Sequence, residues 1–339
     1  MTAHPLLSAA LDAVAAASAL TRAVQHARDE VAHHTKDDRS PVTVADYAAQ
    51  AIISMTLTEH APSNDRLIVG EEQAADLRGN DHAAIRRAVV TAVQRWRPQA
   101  SEADVMNAID ACDHDGTATA YWTLDPIDGT KGFLRGQQYA IALAYIGQGR
   151  VVLGVLGCPN LPIDTTQTAA DPDPTGCGSL YAAVLGSGAW EYPAADPAES
   201  PLRITCPAWT PGRPVRTCAS VEAAHSNRSA TDDLLERLGV ETEPVRLDSQ
   251  AKYAVLARGQ ADAYLRLPTS RTYVEKIWDH AGGSIIASEA GAIVTDITGA
   301  PLDFGHGARL TANRGVIAAA EGLHSRLIEA SMALGLSTT

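Results

Sequence analysis

Paired cysteines, a surplus of basic charge, aromatic mass and long uninterrupted apolar runs are what this sequence lacks. Its five cysteines (Cys112, Cys158, Cys177, Cys206 and Cys218) form no C-x-x-C pair and are odd in number. That argues against a disulfide-stapled scaffold and for a reducing, cytoplasmic setting. The 27 Lys and Arg are outnumbered by 40 Asp and Glu, for a net charge of −13. So acidic a chain is not expected to bind a nucleic-acid polymer, which needs a basic surface. If its ligand is a small anion, the local field must be reversed, and bound divalent cations do that. Aromatics are only 5% of the 339 residues, and the abundant alanine suits closely packed helices. Met1 to Leu20 has no basic start and is interrupted by His4, Ser8, Asp12 and Ser18. Neither a signal peptide nor a membrane span is expected there, and no later stretch reads as a span. No obligatory protein partner is indicated. The length suits one large or two ordinary domains.

What is present centres on Leu124-Asp125-Pro126-Ile127-Asp128-Gly129-Thr130-Lys131-Gly132-Phe133. The apolar run from Tyr121 to Leu124 reads as a buried strand. Pro126 has no backbone donor and is expected to stop the sheet ladder, leaving the acids at the strand's end, where α/β proteins keep ligands. If Asp125 and Asp128 sat about 5 Å apart at an effective dielectric of about 20, they would repel by roughly 3 kcal/mol. Such a pair needs a cation between its members or a proton on one of them. Oxygen ligands with no Cys or His nearby favour Mg²⁺ or Mn²⁺ over zinc. Gly129 and Thr130 add N–H groups and a hydroxyl at the start of a short helix, a terminus that accepts phosphate. Taken alone, a D-x-x-D turn is usually two solvated acids, so the rest of the chain must decide.

Leu7, Leu11, Val14, Val24 and Val31 recur at helical spacing and predict an amphipathic helix from Pro5 to His34. Pro41-Val42-Thr43 is expected to be extended, with Asp46 as N-cap of a second helix reaching His60. A short strand from Arg66 to Val69 delivers Gly70-Glu71-Glu72 at its end. The polar residues 73 to 117 hold a helical patch from Ala83 to Trp96. Two hairpins are expected, one around Gly147-Gln148-Gly149 and one around Gly186-Ser187-Gly188, with a loop from Asp164 to Gly178 between them. From Arg216 onward strands and helices alternate. The fold class expected is α+β followed by α/β, with an N-terminal domain over residues 1–160 and a C-terminal domain over 161–339.

Acids thus stand at element boundaries four times: Asp46, Glu71, the Asp125/Asp128 pair, and Asp279 in Lys276-Ile277-Trp278-Asp279-His280-Ala281-Gly282-Gly283. In this order the sequence resembles the Mg²⁺-dependent, lithium-sensitive inositol monophosphatase superfamily, with its acid after Pro-Val-Thr, then G-E-E, D-P-I-D-G-T and W-D-x-A-A-G. Ser40-Pro41-Val42-Thr43, the Lys131-Gly132 that follows D-G-T, Asp248-Ser249-Gln250-Ala251-Lys252-Tyr253 and Tyr264-Leu265-Arg266-Leu267-Pro268 resemble its 3'(2'),5'-bisphosphate nucleotidase branch. The resemblance implies a layered αβαβα sandwich and removal of the 3'-phosphate from adenosine 3',5'-bisphosphate, with inositol polyphosphate 1-phosphatase or inositol monophosphatase-like activity as the alternative. It implies Glu71, Asp125, Asp128, Asp279 and the Ile127 carbonyl as ligands of two or three Mg²⁺ ions, with Mn²⁺ as a substitute and Li⁺ as an inhibitor. Asp46 and Thr130, with Glu72 close by, would orient and deprotonate the attacking water. Gly129, Thr130, His225, Ser249, Lys252 and Arg266 would hold the small nucleotide bisphosphate, the last two through its other phosphate. Gly282-Gly283 departs from the commoner Ala-Ala-Gly pattern, and Ser220 to Ala224 lacks the usual glycine before His225.

Overall fold

The computed structural model describes residues 4–31, 40–221, 228–270 and 272–336. Helix α1 (Leu7–Val31) packs against α2 (Ser40–His60) and on the first sheet. α1 corrects one expectation, because its stretch Leu7–Ala27 is long and apolar enough to cross a membrane. Here 56% of that window is buried inside the protein, and Ala10, Ala13, Val14 and Ala17 face the core, so the apolar surface has an internal partner. α2 brings a second correction. Pro41 lies in its first turn, where a missing N–H breaks no intrahelical bond, so Pro41-Val42-Thr43 is helical and Asp46 lies inside the helix instead of capping it.

The first sheet has seven strands in sequence order: β1 (Ile68–Gly70), β2 (Ala120–Asp128), β3 (Ala140–Gly147), β4 (Arg150–Cys158), β5 (Ser179–Val184), β6 (Gly188–Pro193) and β7 (Leu202–Ile204). β1 and β2 are parallel and every other pair is antiparallel. The expected hairpin between β3 and β4 turns on Gln148 (φ 52°) and Gly149 (φ 74°), the mirror-image turn that matches strand twist. Between β1 and β2 lie α3 (Ala83–Gln94) and α4 (Glu102–Asp110). A capping box between Ser101 and Asp104 starts α4, a short polar helix that the sequence reading left without an assignment.

β5 pairs with β4, so the first sheet does not end near residue 160 but continues to Ile204. After the five-residue α5 (Thr130–Leu134) of the first half, the second half begins with β8 (Val215–Ala219) and α6 (Arg228–Leu238). β9 (Thr242–Arg246), α7 (Ala251–Ala257), β10 (Ala263–Arg266), α8 (Ala281–Glu289), β11 (Ile293–Thr295), β12 (Val316–Ala319) and α9 (His324–Ala333) follow. The second sheet is ordered β11-β12-β10-β8-β9. α7 and α8 lie between the sheets, α1 and α2 cover the first, and α6 and α9 cover the second. That stacking is the expected αβαβα sandwich.

Trp122, Tyr139, Tyr181 and Tyr253 are among the largest fully buried side chains, each worth about 1.5–3 kcal/mol by the area it removes from water. Tyr253 of α7 lies so close to α8 that a Cβ on Gly283 would overlap its ring. The contact therefore requires glycine there, and it sets the depth at which α8, and the turn carrying Asp279 before it, meets α7. All five cysteines are free thiols.

Candidate active site

Parallel pairing of β1 and β2 builds one wall of the site. Gly70 is opposite Leu124, and the Glu71 N–H donates to the Leu124 carbonyl at 3.2 Å, so Glu71 and Asp125 emerge side by side. Past Asp125 the β2–β3 ladder shifts register and resumes with Asp128 opposite Ala140. The expected end of the ladder is therefore a bulge, in which Pro126, having no N–H, is passed over. The Ile127 N–H donates to Asp125 Oδ1 at 3.1 Å, which folds the bulge back on the first acid.

Gly129 then takes φ 88° as N-cap of α5. A Cβ there would stand 2.8 Å from that of Ser249, so glycine permits the first half to touch the segment Asp248-Ser249-Gln250. From the second half come Asp279, in the turn before α8, Lys252 on α7 and Arg266 at the end of β10. These residues meet at a cleft of about 540 Å³, a volume within the range of small-ligand pockets. Glu71, Asp125, Ile127, Asp128, Gly129, Thr130, Ser249, Lys252, Arg266 and Asp279 all line it.

The acids are held under electrostatic stress. Asp125 is 3% exposed, and burial, then the charges of Glu71, Asp128 and Asp279, raise its pKa well above the carboxylate range. Glu71 keeps exposed surface, yet protein packed about its carboxyl group, with Glu72 and Asp128, pushes its pKa up to about 7 against the opposing pull of a hydrogen bond with Asp125. Asp279 is pushed up to about 7 by burial, with Asp128 and Glu71 adding to it and His280 opposing. Asp128 is raised by burial, while Lys252, the Gln250 N–H and Arg266 pull it down. Glu71 and Asp125 are hydrogen-bonded to each other, and each raises the demand for a proton or a cation at this wall. Among the described residues no three such side chains are already gathered closely enough to grip an ion; the acids face one another around the cleft instead.

Across the cleft the sign changes. Lys252 is 4% exposed; its Nζ donates to Ser220 Oγ at 3.2 Å and lies 5.2 Å from the centre of the Tyr264 ring. Burial lowers its pKa, and Asp128 and Asp248 hold it up. The Arg266 Nε donates to Glu275 Oε1 at 3.3 Å, and Tyr273 also bonds its side chain. Lys131 is a third cation on the lining.

Two expected residues are not part of that lining. Asp46 is 7% exposed within α2, where burial, then Glu72 and Glu71, raise its pKa well above the usual range. Glu72 is held through its main chain by Gln50, whose amide bonds the Glu72 N–H at 3.2 Å and its carbonyl at 2.8 Å. Neither lines the cleft, and both are close enough to Glu71 for the charges to interact. His225 lies outside the described residues. The sequence reading missed Thr43, Tyr264, Tyr273 and His280, which do line the cleft. Thr43 sat inside the quoted Pro-Val-Thr motif, and Tyr264 began the Tyr-Leu-Arg segment, so both carried a signal.

Comparison with known proteins identifies the family. The pattern of the inositol monophosphatase family matches residues 2–335, and the chain belongs to that family. It is 43% identical over 311 residues to a 3'(2'),5'-bisphosphate nucleotidase of Schizosaccharomyces pombe, covering 88% of this chain and 86% of that protein. A protein of the same name from Oryza sativa is 40% identical over 347 residues, covering 96% and 92%. Among solved structures, SuhB of Mycobacterium tuberculosis superposes with a TM-score of 0.60 over 97% of this chain and 96% of its own, at 21% identity, which shows the shared fold.

Proposed function

We propose that the protein is a metal-dependent phosphohydrolase that removes the 3'-phosphate of adenosine 3',5'-bisphosphate, giving AMP and inorganic phosphate. The observation that carries this reading is the division of one cleft into an acidic wall and a cationic wall. A substrate with one phosphate to be cleaved and another to be held needs both. The names of the relatives support the same substrate. An inositol phosphate is the alternative that family membership alone would allow, and the buried Lys252 beside Arg266 favours the bisphosphate.

The donor set fits a hard divalent cation. Asp125, Asp128, Glu71 and Asp279 are oxygen donors whose pKa values are raised first by burial, and no thiol lines the cleft. These four, with the Ile127 carbonyl, would hold Mg²⁺ or, in its place, Mn²⁺. When bound, the metal would lower the pKa of water and neutralise charge developing on the phosphoryl oxygens. The protein's own groups do the rest. The Thr130 hydroxyl and the α5 N–H groups orient water and phosphate, Ser249 contacts the sugar side, and Lys252 and Arg266 hold the 5'-phosphate. Water oxygen bonds to phosphorus and gives up one proton, the bond from phosphorus to O3' breaks, and the departing O3' takes up one proton, so the reaction releases none overall. For Asp46 and Glu72, which do not line the cleft, we propose an electrostatic influence on Glu71, whose pKa Glu72 raises, and not contact with substrate. The free, mostly buried thiols support a reducing compartment.

The test is phosphate release by the purified protein with Mg²⁺, from adenosine 3',5'-bisphosphate and from inositol 1-phosphate. A much faster rate on the nucleotide is expected; equal or reversed rates reject the reading.

A further inference from the structure

Gln250 is 1% exposed and directs its N–H and both ends of its side-chain amide to the segments that carry Asp128 and Asp279. Its N–H donates to Asp128 Oδ2 at 2.5 Å. Its side-chain Nε2 donates to the carbonyl of Trp278, the residue before Asp279, at 2.7 Å. Its Oε1 accepts from the N–H of Gly283, in the first turn of α8, at 3.0 Å. One residue thus ties an acid of the first half to both sides of the turn that carries an acid of the second. We infer that Gln250 is a positioning residue that sets the spacing of Asp128 and Asp279, and through it the affinity of the site for a divalent cation. The inference rests on the metal role proposed for those two acids.

Its neighbours explain how the main chain reaches this position. Ser249 holds φ 71°, a left-handed conformation that a non-glycine residue rarely adopts, and the next N–H reaches Asp128. Its Oγ accepts from the Ala251 N–H at 3.1 Å, which steadies the turn. Asp248 anchors the other side through an ion pair with Arg135 and by accepting from the Val221 N–H at 3.2 Å. The chemistry at residue 250 is restrictive. The amide tip offers a donor to one carbonyl and, from a separate atom, an acceptor to one N–H, so it can hold both partners at once. A carboxylate would face the Trp278 carbonyl with no proton to offer.

The test is calorimetric titration of the metal-free protein with Mg²⁺ alone, for the wild type, Asp279→Asn and Gln250→Met. Methionine fills the buried volume and removes both side-chain hydrogen bonds. Outer partners of metal ligands typically change metal affinity by about 10- to 100-fold, and that loss is expected for Gln250→Met. The Mg²⁺ concentration giving half-maximal turnover should rise in step, with KM for the nucleotide unchanged at saturating Mg²⁺. A residue that merely stabilises the fold would lower the melting temperature without moving the Mg²⁺ affinity, and that result overturns the inference. If Asp279→Asn also binds Mg²⁺ like the wild type, the metal reading itself fails, and the two failures are thereby told apart. Should Gln250→Met not fold, Gln250→Leu carries the same decision, since it too removes both side-chain hydrogen bonds and adds no charge.

Discussion

Lys252→Met is the sharpest probe of the cationic wall, because the side chain is buried, its length is preserved and its partners are known. The ammonium donates to Ser220 Oγ at 3.2 Å and faces the Tyr264 ring at 5.2 Å, so little of it is solvated before a ligand arrives. A hydrogen bond to a charged group is worth about 1.5–3 kcal/mol, or roughly 10- to 150-fold in kcat/KM. For stability the effects oppose one another. Removing a buried charge relieves desolvation, and apolar replacements of buried ions are often neutral, while Asp128 and Asp248 lose an attracting neighbour. We therefore expect a small change in melting temperature and a large change in recognition. The assay compares adenosine 3',5'-bisphosphate with adenosine 3'-monophosphate, which lacks the second phosphate. The variant should lose roughly 10- to 150-fold in kcat/KM on the bisphosphate and far less on the monophosphate. An equal loss on both substrates would mean that Lys252 serves the acidic wall and not the second phosphate, and the argument would fail.

Two further outcomes follow from packing and titration. Gly282→Ala and Gly283→Ala should differ in sign. A Cβ at 282 meets the flexible end of Leu156 at 3.3 Å, and alanine gains up to about 1 kcal/mol of helix propensity over glycine. A Cβ at 283 overlaps the buried Tyr253 ring and should cost about 1–3 kcal/mol. Denaturant unfolding of both variants checks this, and equal stabilities would refute it. In the metal-free protein, Glu71 and Asp279 have pKa values raised to about 7 from 4.5 and 3.8, so the folded state holds more protons than the unfolded state between those limits. Stability from these groups must then fall as pH rises from about 4 to about 7 and level off above. Added Mg²⁺ should raise the melting temperature more at pH 8 than at pH 5.5, and a pH-independent increment would contradict the assignment.

How much of this was legible beforehand depends on whether the signal was local. The β3–β4 hairpin could be read because Gly147-Gln148-Gly149 announces its turn and the flanking runs are apolar, and the second-half alternation could be read for the same reason. Asp46 was misplaced because Pro41 looks like a helix breaker, whereas in a first turn it breaks nothing. β5 to β7 were assigned to the wrong half because sheet membership depends on pairing with β4, which no periodicity encodes. α4 escaped because nine residues with four acidic or amide side chains look like loop until the Ser101–Asp104 cap is seen. The acids themselves were found from their order along the chain. Their juxtaposition was not, since it follows from the register Gly70 opposite Leu124 and from the bulge at Pro126.

The same distinction accounts for Gln250, which no motif singled out by role. Its importance lies in three hydrogen bonds to residues 122, 28 and 33 positions away along the chain, a property of the fold and not of the local sequence. The acids it aligns repel one another, so packing alone would drive them apart. Besides a cation or a proton, fixed hydrogen-bond donors steady such a wall, and main-chain N–H groups suit that purpose because they carry no net charge of their own. That is why the acidic wall is braced by Gln250 and by Ile127 N–H, while the fixed cations Lys252 and Arg266 stand opposite. Cations within the wall would occupy the carboxylates that a divalent ion needs; cations across from it leave the acids available and still attract an anionic substrate into a chain whose overall charge is −13.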